Sequence, residues 1–293
     1  MRMNKRAGLI LLAIPFISGC SILNFLKPNN SDVNNQEIDQ TDTRHEYGAF
    51  LGRSEDTSHF SEYKNISIDI DEFSSSQISQ IKSANTNIFA YLNIGSLENY
   101  RSYYSTYVNL TFLDYENWPD ERWIDVSNSS WQNFVINTLA KNALDKGAYG
   151  VYVDNVDVYS VAKEEEKNFN NFKNGIRNIL KGVHDLGLKV LMNGGAELID
   201  DLRNANDAIF NYIDIYHQEE VFSLIDDYEE DIFTTQISED KLYYQDIALV
   251  MKSKGKKIYF LEYTVDNNLK NQIQQYCDSN SYYCYISTKV DLI

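Results

Sequence analysis

The chain has 293 residues, with 26 Lys and Arg against 43 Asp and Glu and a formal charge of −17. A surface that acidic argues against nucleic acid, and against an anionic membrane face, as partners, because both require basic patches. It favours a cationic ligand, and it also serves solubility.

The first segments are a leader and a tether. Met1–Arg6 carries three positive charges and no acid, and Gly8–Ile17 is almost purely apolar. That is the charged start and short apolar run of an export signal, well below the roughly 20 apolar residues of a spanning helix. Ile17-Ser18-Gly19-Cys20 follows and resembles a bacterial lipobox, which implies cleavage before Cys20 and acylation of its sulfur. The alternative is an ordinary signal peptide with an incidental cysteine. Residues 1–19 are thus read as a lipoprotein signal peptide. Losing Arg2, Lys5 and Arg6 with it takes the charge from −17 to −20. Residues 20–46 are polar, rich in Asn, Asp, Gln and Thr, and read as a flexible tether reaching roughly 25–30 Å. The expected location is extracytoplasmic, lipid-anchored to a cell membrane or outer membrane, since two or three acyl chains hold stably.

Residues 47–293 alternate short β-branched or aromatic runs with helical periodicity, the pattern of βα units. Strands are predicted at Tyr47–Gly52, Ile66–Asp71, Ile88–Asn93, Gly150–Asp154, Lys189–Asn193, Ile213–Gln218, Ile258–Tyr263 and Tyr282–Ser287. Eight strands in about 245 residues is the count of one α/β domain closed into a (β/α)8 TIM barrel. One helix carries the stripe Trp131 to Ala143, after cap candidates Asn128–Ser130 and before Gly147. A second carries Phe169 to Val183 and ends at Gly187; a third runs from Leu242 to Met251 and ends at Gly255. The long aromatic stretch from Tyr100 to Trp131 has the length of a functional loop. Cys277 and Cys284, close in sequence, are read either as a disulfide or as two free thiols.

In such a barrel the site is built at the C-terminal strand ends. Those ends offer Asp69 or Asp71, Asn93, Asp154, Asn193, Glu219 and Glu262, with Tyr216 and His217 just ahead of Glu219. Asp154-Asn155-Val156-Asp157 closes an apolar run with two acids. Asp157 is read either as a helix cap or as part of the site, and Asp154 as a catalytic carboxylate. Glycoside hydrolysis needs two carboxyls across the scissile bond, and Asp154 with Glu219 or Glu262 can supply them. No calcium loop, paired histidines, G-x-S-x-G elbow, P-loop or G-x-G-x-x-G follows, so no metal and no cofactor is expected.

Tyr91-Leu92-Asn93-Ile94-Gly95-Ser96-Leu97-Glu98-Asn99-Tyr100-Arg101 resembles the Y-x-N-x-G-S-x-E-x-Y-R stretch of the endo-α-1,4-polygalactosaminidase family, glycoside hydrolase family 114. Further segments match in order: Trp123-Ile124-Asp125-Val126 with Trp131, Gly150 to Asp157, Gln218-Glu219-Glu220-Val221-Phe222, and Phe260-Leu261-Glu262-Tyr263. The resemblance runs from about Tyr47 to the C-terminus. It implies a (β/α)8 barrel acting on an α-1,4-linked, galactosamine-containing polysaccharide as partner. By position, Asp154 and Glu219 match the family's catalytic acids, and Asn93, Glu98, Arg101 and Asn193 its cleft residues. Glu98 and Arg101 are equally readable as an ion pair. Leu97 stands where a tryptophan is common, and Glu219 has Glu220 beside it. Two other readings remain open: a glycan-binding barrel without turnover, and a barrel hydrolase for another glycan.

Overall fold

Eight parallel strands ring a common axis: β1 (His45–Phe50), β2 (Tyr63–Ile68), β3 (Asn87–Asn93), β4 (Gly150–Asp154), β5 (Lys189–Asn193), β6 (Ile215–Glu219), β7 (Lys257–Tyr263) and β8 (Tyr283–Ser287). Their spatial order is their chain order, and every ladder is parallel. The computed structural model describes residues 42–52, 56–116 and 118–293, of which Thr43–Ile293 make up one folded unit. The leader, Cys20 and nearly all of the tether lie outside the described residues. Side chains bring β1 to β8: the Phe50 ring meets the Tyr285 ring at 5.4 Å. Just beyond, the Gly52 N–H donates to the Leu292 carbonyl at 3.3 Å. Helices surround the strands, so this is a nearly closed (β/α)8 barrel. Between β1 and β2 a short 3-10 turn, Ser58–Glu62, stands in place of a helix.

Alternation along each strand sorts the side chains into two cores. Tyr47, Phe89, Tyr152, Leu191, Ile215, Tyr259, Leu261 and Tyr263 fill the barrel interior. Their neighbours, such as Ile66, Val151, Val153, Val190, Tyr216 and Phe260, face outward and pack under the helices. Within that outer layer Trp131 is fully buried, and its indole N–H donates to the Ile94 carbonyl at 2.9 Å.

The helices start and stop where side chains permit. Asn128 accepts from the Ser130 N–H at 2.9 Å and opens a run through Ser129–Phe134, a π turn at Val135–Ala140, and Lys141–Lys146. It stops at Gly147, as Phe169–Asp185 and Ser238–Ser253 stop near Gly187 and Gly255. The second strand ends at Ile68, earlier than its sequence suggests. Asp69 there accepts the Asp71 N–H at 3.1 Å and turns the chain into a 3-10 turn, sending Asp71 outward to Lys146. Cys277, on the helix Asn267–Asn280, is joined to Cys284 of β8 in a disulfide.

Two insertions rise at the C-terminal ends of the strands. After β3 the aromatic stretch folds into a three-stranded antiparallel sheet, with Glu121–Ile124 between Ser96–Glu98 and Thr111–Asp114. After β6, Ser223–Asp227 pairs with Ile232–Thr235 as a hairpin. Glu262 holds the start of that hairpin. It is fully buried on the outer face of β7. Its carboxylate accepts from the N–H groups of Val221 (3.1 Å), Phe222 (3.0 Å) and Ser223 (2.9 Å), and from the Ser223 hydroxyl at 2.7 Å. Burial pushes its carboxyl up to about 7, against the pull of those donors. Glu262→Gln turns an amide NH2 toward backbone N–H groups, which can only donate, leaving them unsatisfied. It is expected to cost about 2–5 kcal/mol in urea unfolding; a loss below about 1 kcal/mol would show that the anchor is dispensable.

Candidate active site

Parity decides which strand-end residues reach the cavity. On β4 to β7 the inward positions at the rim are Asp154, Asn193, Glu219 and Tyr263, two residues beyond Tyr152, Leu191, His217 and Leu261. They open into a cavity of about 650 Å³ that is also lined by Asp69, Tyr91, Glu98, Arg101, Glu121, Asn155 and Asp157. Tyr115, Trp118, Tyr228 and Tyr244 add aromatic wall, with the Trp118 and Tyr228 rings meeting edge to face at 5.5 Å.

One amide links the two central acids. The Asn193 Nδ2 donates to Asp154 Oδ1 at 2.9 Å and to Glu219 Oε1 at 2.7 Å. Those two oxygens are therefore at most 5.6 Å apart, the sum of 2.9 and 2.7 Å. The Tyr152 hydroxyl donates to Glu219 Oε1 at 3.0 Å, and the Tyr263 hydroxyl to Oε2 at 2.8 Å. Burial raises the Glu219 carboxyl to about 7 and the Asp154 charge adds to the rise, while the Tyr263 and Asn193 donors pull back. Asp154 is also raised by burial, but Asn193, the Asn155 N–H and the Tyr91 hydroxyl all donate to it and restrain the rise. Both carboxyls are thus shifted upward by burial, each against the pull of its own donors. Glu220, beside Glu219, turns away with φ 57° and accepts from the Ile225 N–H at the hairpin.

Asp69, Glu98 and Arg101 form one wall. The Arg101 guanidinium donates to Glu98 at 2.7 Å and pairs with Asp69 at 2.8 Å, while the Tyr100 hydroxyl donates to Glu98 at 2.9 Å. With Glu98 almost fully buried, this is both an ion pair and part of the cavity surface. Asn93 lies just beneath, donating to the Ser96 hydroxyl at 2.7 Å and to Glu121 at 3.3 Å. Glu121 arrives from the inserted sheet, bonds Ser96 and accepts from Asn155 at 3.4 Å; burial raises it to about 7.

Asp157 precedes the helix Val158–Glu164 but makes no side-chain cap bond. It accepts instead from the Gly195 N–H at 3.0 Å, and burial raises it to about 6. Gly194 allows this: its φ is 69°, and a Cβ there would sit 2.1 Å from Asp157 Oδ2. Gly95 is equally constrained, since a Cβ would fall 1.8 Å from the Asn155 carbonyl oxygen. Tyr216 and Glu262 are not brought to the cavity. Both occupy outward positions, where the Tyr216 hydroxyl donates to Gln218 at 2.6 Å and Glu262 anchors the hairpin. Sequence reasoning passed over Tyr91, Tyr152 and Tyr263, which the same parity could have found, and Glu121, which it could not. Among the described residues no group of three or more His, Cys, Asp or Glu is disposed to hold a metal ion.

The comparisons with known proteins agree with this fold. The profile of glycoside-hydrolase family GH114 matches residues 32–290. The glycoside hydrolase domain of PelA from Pseudomonas aeruginosa superposes with a TM-score of 0.70 at 14% identity, over 85% of this chain and 96% of that one. Ega3 from Aspergillus fumigatus, in complex with galactosamine, gives 0.66 at 18% identity, over 85% and 92%. An α-galactosidase from Thermus thermophilus in complex with stachyose gives 0.56 at 10% identity, over 84% and 61%. At these identities the likeness is one of fold. No curated protein matches the sequence. The match over 32–290 settles the family: the chain belongs to glycoside-hydrolase family GH114 and is a glycoside hydrolase.

Proposed function

We propose that this hydrolase cleaves an α-1,4-linked, galactosamine-containing polysaccharide within its chain, with Glu219 as acid and Asp154 as nucleophile. The observation that carries the reading is the shared Asn193 amide, which holds Asp154 Oδ1 and Glu219 Oε1 within 5.6 Å of each other, the sum of 2.9 and 2.7 Å. That spacing suits the about 5–5.5 Å of a retaining pair and leaves little room for the water that an inverting pair, about 6.5–9.5 Å apart, must admit. Asp154 would attack the anomeric carbon as Glu219 gives its proton to the departing oxygen. Glu219, now ionised, would take a proton from the water that opens the glycosyl ester.

The cavity's charge supports an amino sugar. Its lining carries nine carboxyls (Asp69, Glu98, Glu121, Asp154, Asp157, Glu219, Glu220, Asp240 and Asp291) and, among the described residues, one guanidinium, Arg101. Arg101 is already neutralised by Glu98 and Asp69. A glycan bearing ammonium groups is drawn to such a surface. The galactosamine held by Ega3 supports the same class. For the location, the Ile17-Ser18-Gly19-Cys20 segment supports a lipid anchor, and the Cys277–Cys284 disulfide suits an oxidising compartment. No described helix is long and apolar enough to cross a membrane.

Purified protein incubated with partly de-N-acetylated α-1,4-galactosaminan should release oligosaccharides whose new reducing ends appear first as the α anomer. Asp154→Asn should abolish release, and Glu219→Gln should slow it about 100- to 10,000-fold. Tight binding without release would indicate a glycan-binding barrel, and neither binding nor release would remove this substrate class. Because Glu219 must be protonated to act, the rate should fall as pH rises past about 7. In cells, Cys20→Ser should prevent incorporation of labelled palmitate and free the protein from the membrane fraction; unchanged labelling would refute the anchor.

A further inference from the structure

We infer that His217 is a positioning residue for the two site carboxyls, acting through Asn193; the inference rests on the roles of Asp154 and Glu219 proposed above. His217 is fully buried inside the barrel, one layer below the rim. Its ring meets that of Tyr152 at 5.2 Å and that of Tyr47 at 5.5 Å, both near edge to face. With no access to the cavity, it is not a group that touches sugar.

Its hydrogen bonding is one-sided. Nδ1 lies 2.7 Å from Asn193 Oδ1 and 3.5 Å from the Tyr152 hydroxyl, whereas Nε2 has no partner. Burial lowers its pKa to about 3, so the ring is neutral and carries one proton. Asn193 Oδ1 can only accept, so that proton sits on Nδ1. The consequence lies at the other end of the amide. With Oδ1 turned down to the imidazole, Nδ2 is turned up, and its two hydrogens are the ones that reach Asp154 at 2.9 Å and Glu219 at 2.7 Å. Reversed, the amide would set its oxygen against two carboxyls. An asparagine alone has no strong preference between these orientations; a buried Nδ1–H donor beneath it supplies one. Leaving Nε2 unpaired in an apolar pocket is a cost to the fold, which is consistent with a ring kept for what Nδ1 does.

The test compares two substitutions in the full chain. His217→Leu fills the space without a donor, and His217→Asn returns an N–H near the position of Nδ1. In His217→Leu, kcat should fall about 100-fold with KM little changed. Both limbs of the pH profile should move to higher pH, because both carboxyls lose a donor that favours their charged form. His217→Asn should restore most of kcat and return the limbs. A fall in kcat and in Tm with unmoved limbs, and no recovery in His217→Asn, would mean that the ring only packs, and the proposal would be overturned. A readout without turnover separates this from failure of the proposed substrate. The 15N shifts of the free protein should show an Nδ1-protonated neutral His217 throughout about pH 5–8, and the 13C carboxyl titration of Glu219 should move up in His217→Leu. An Nε2-protonated or charged ring, or an unmoved Glu219, would overturn the proposal whether or not galactosaminan is cut.

Discussion

One side-chain amide ties together the two central carboxyls of this barrel. Asn193 lies between Asp154 of β4 and Glu219 of β6, and its nitrogen donates to both. Two carboxyls brought close together in a buried site repel, and each alone would gain by being neutral. A donor between them eases that repulsion for the ionised member and fixes how far apart they stand. The tyrosines finish the arrangement: Tyr152 and Tyr263 reach Glu219, and Tyr91 reaches Asp154. All of these side chains come from strands rather than loops, so their positions follow from the parallel register and not from loop conformation.

That register explains what could be read from the sequence. Eight runs of β-branched and aromatic residues identified eight strands, and three glycine-terminated stripes identified three of the helices. The acids and amides at strand ends followed from the barrel rule. What simple strand-end counting missed was parity. Glu262 and Tyr263 are adjacent, and only one of them can face the axis. The apolar neighbours decide it, since Leu261 and Tyr259 belong to the inner core and so place Tyr263 inward and Glu262 outward. Tyr216 fails for the same reason beside His217. Glu121 was beyond this method, because it comes from a sheet inserted between β3 and the next helix. Only the unusual length of the aromatic stretch marked that region.

The inserted sheet and hairpin give the cavity its charge. A bare barrel rim would supply mainly Asp69, Asp154 and Glu219, whereas the insertions bring Glu98 and Glu121 and position Glu220. Arg101, the cationic side chain among the described lining residues, is spent within the wall on Glu98 and Asp69. Nine of the chain's 43 acids therefore line the cavity in which a substrate would lie. Acids held near or above their ordinary range by burial are also acids that gain most from a cationic partner, because the partner's charge repays their desolvation.

The polarity of the barrel gives this arrangement a direction. The carboxyls stand at the C-terminal ends of the strands, and the chain enters the unit at the N-terminal end of β1. That entry is clamped: Glu46 on β1 accepts from Lys257 and from the Tyr259 hydroxyl, each at 3.2 Å, and from the Asn65 amide at 3.4 Å, joining β1 to β7 and β2.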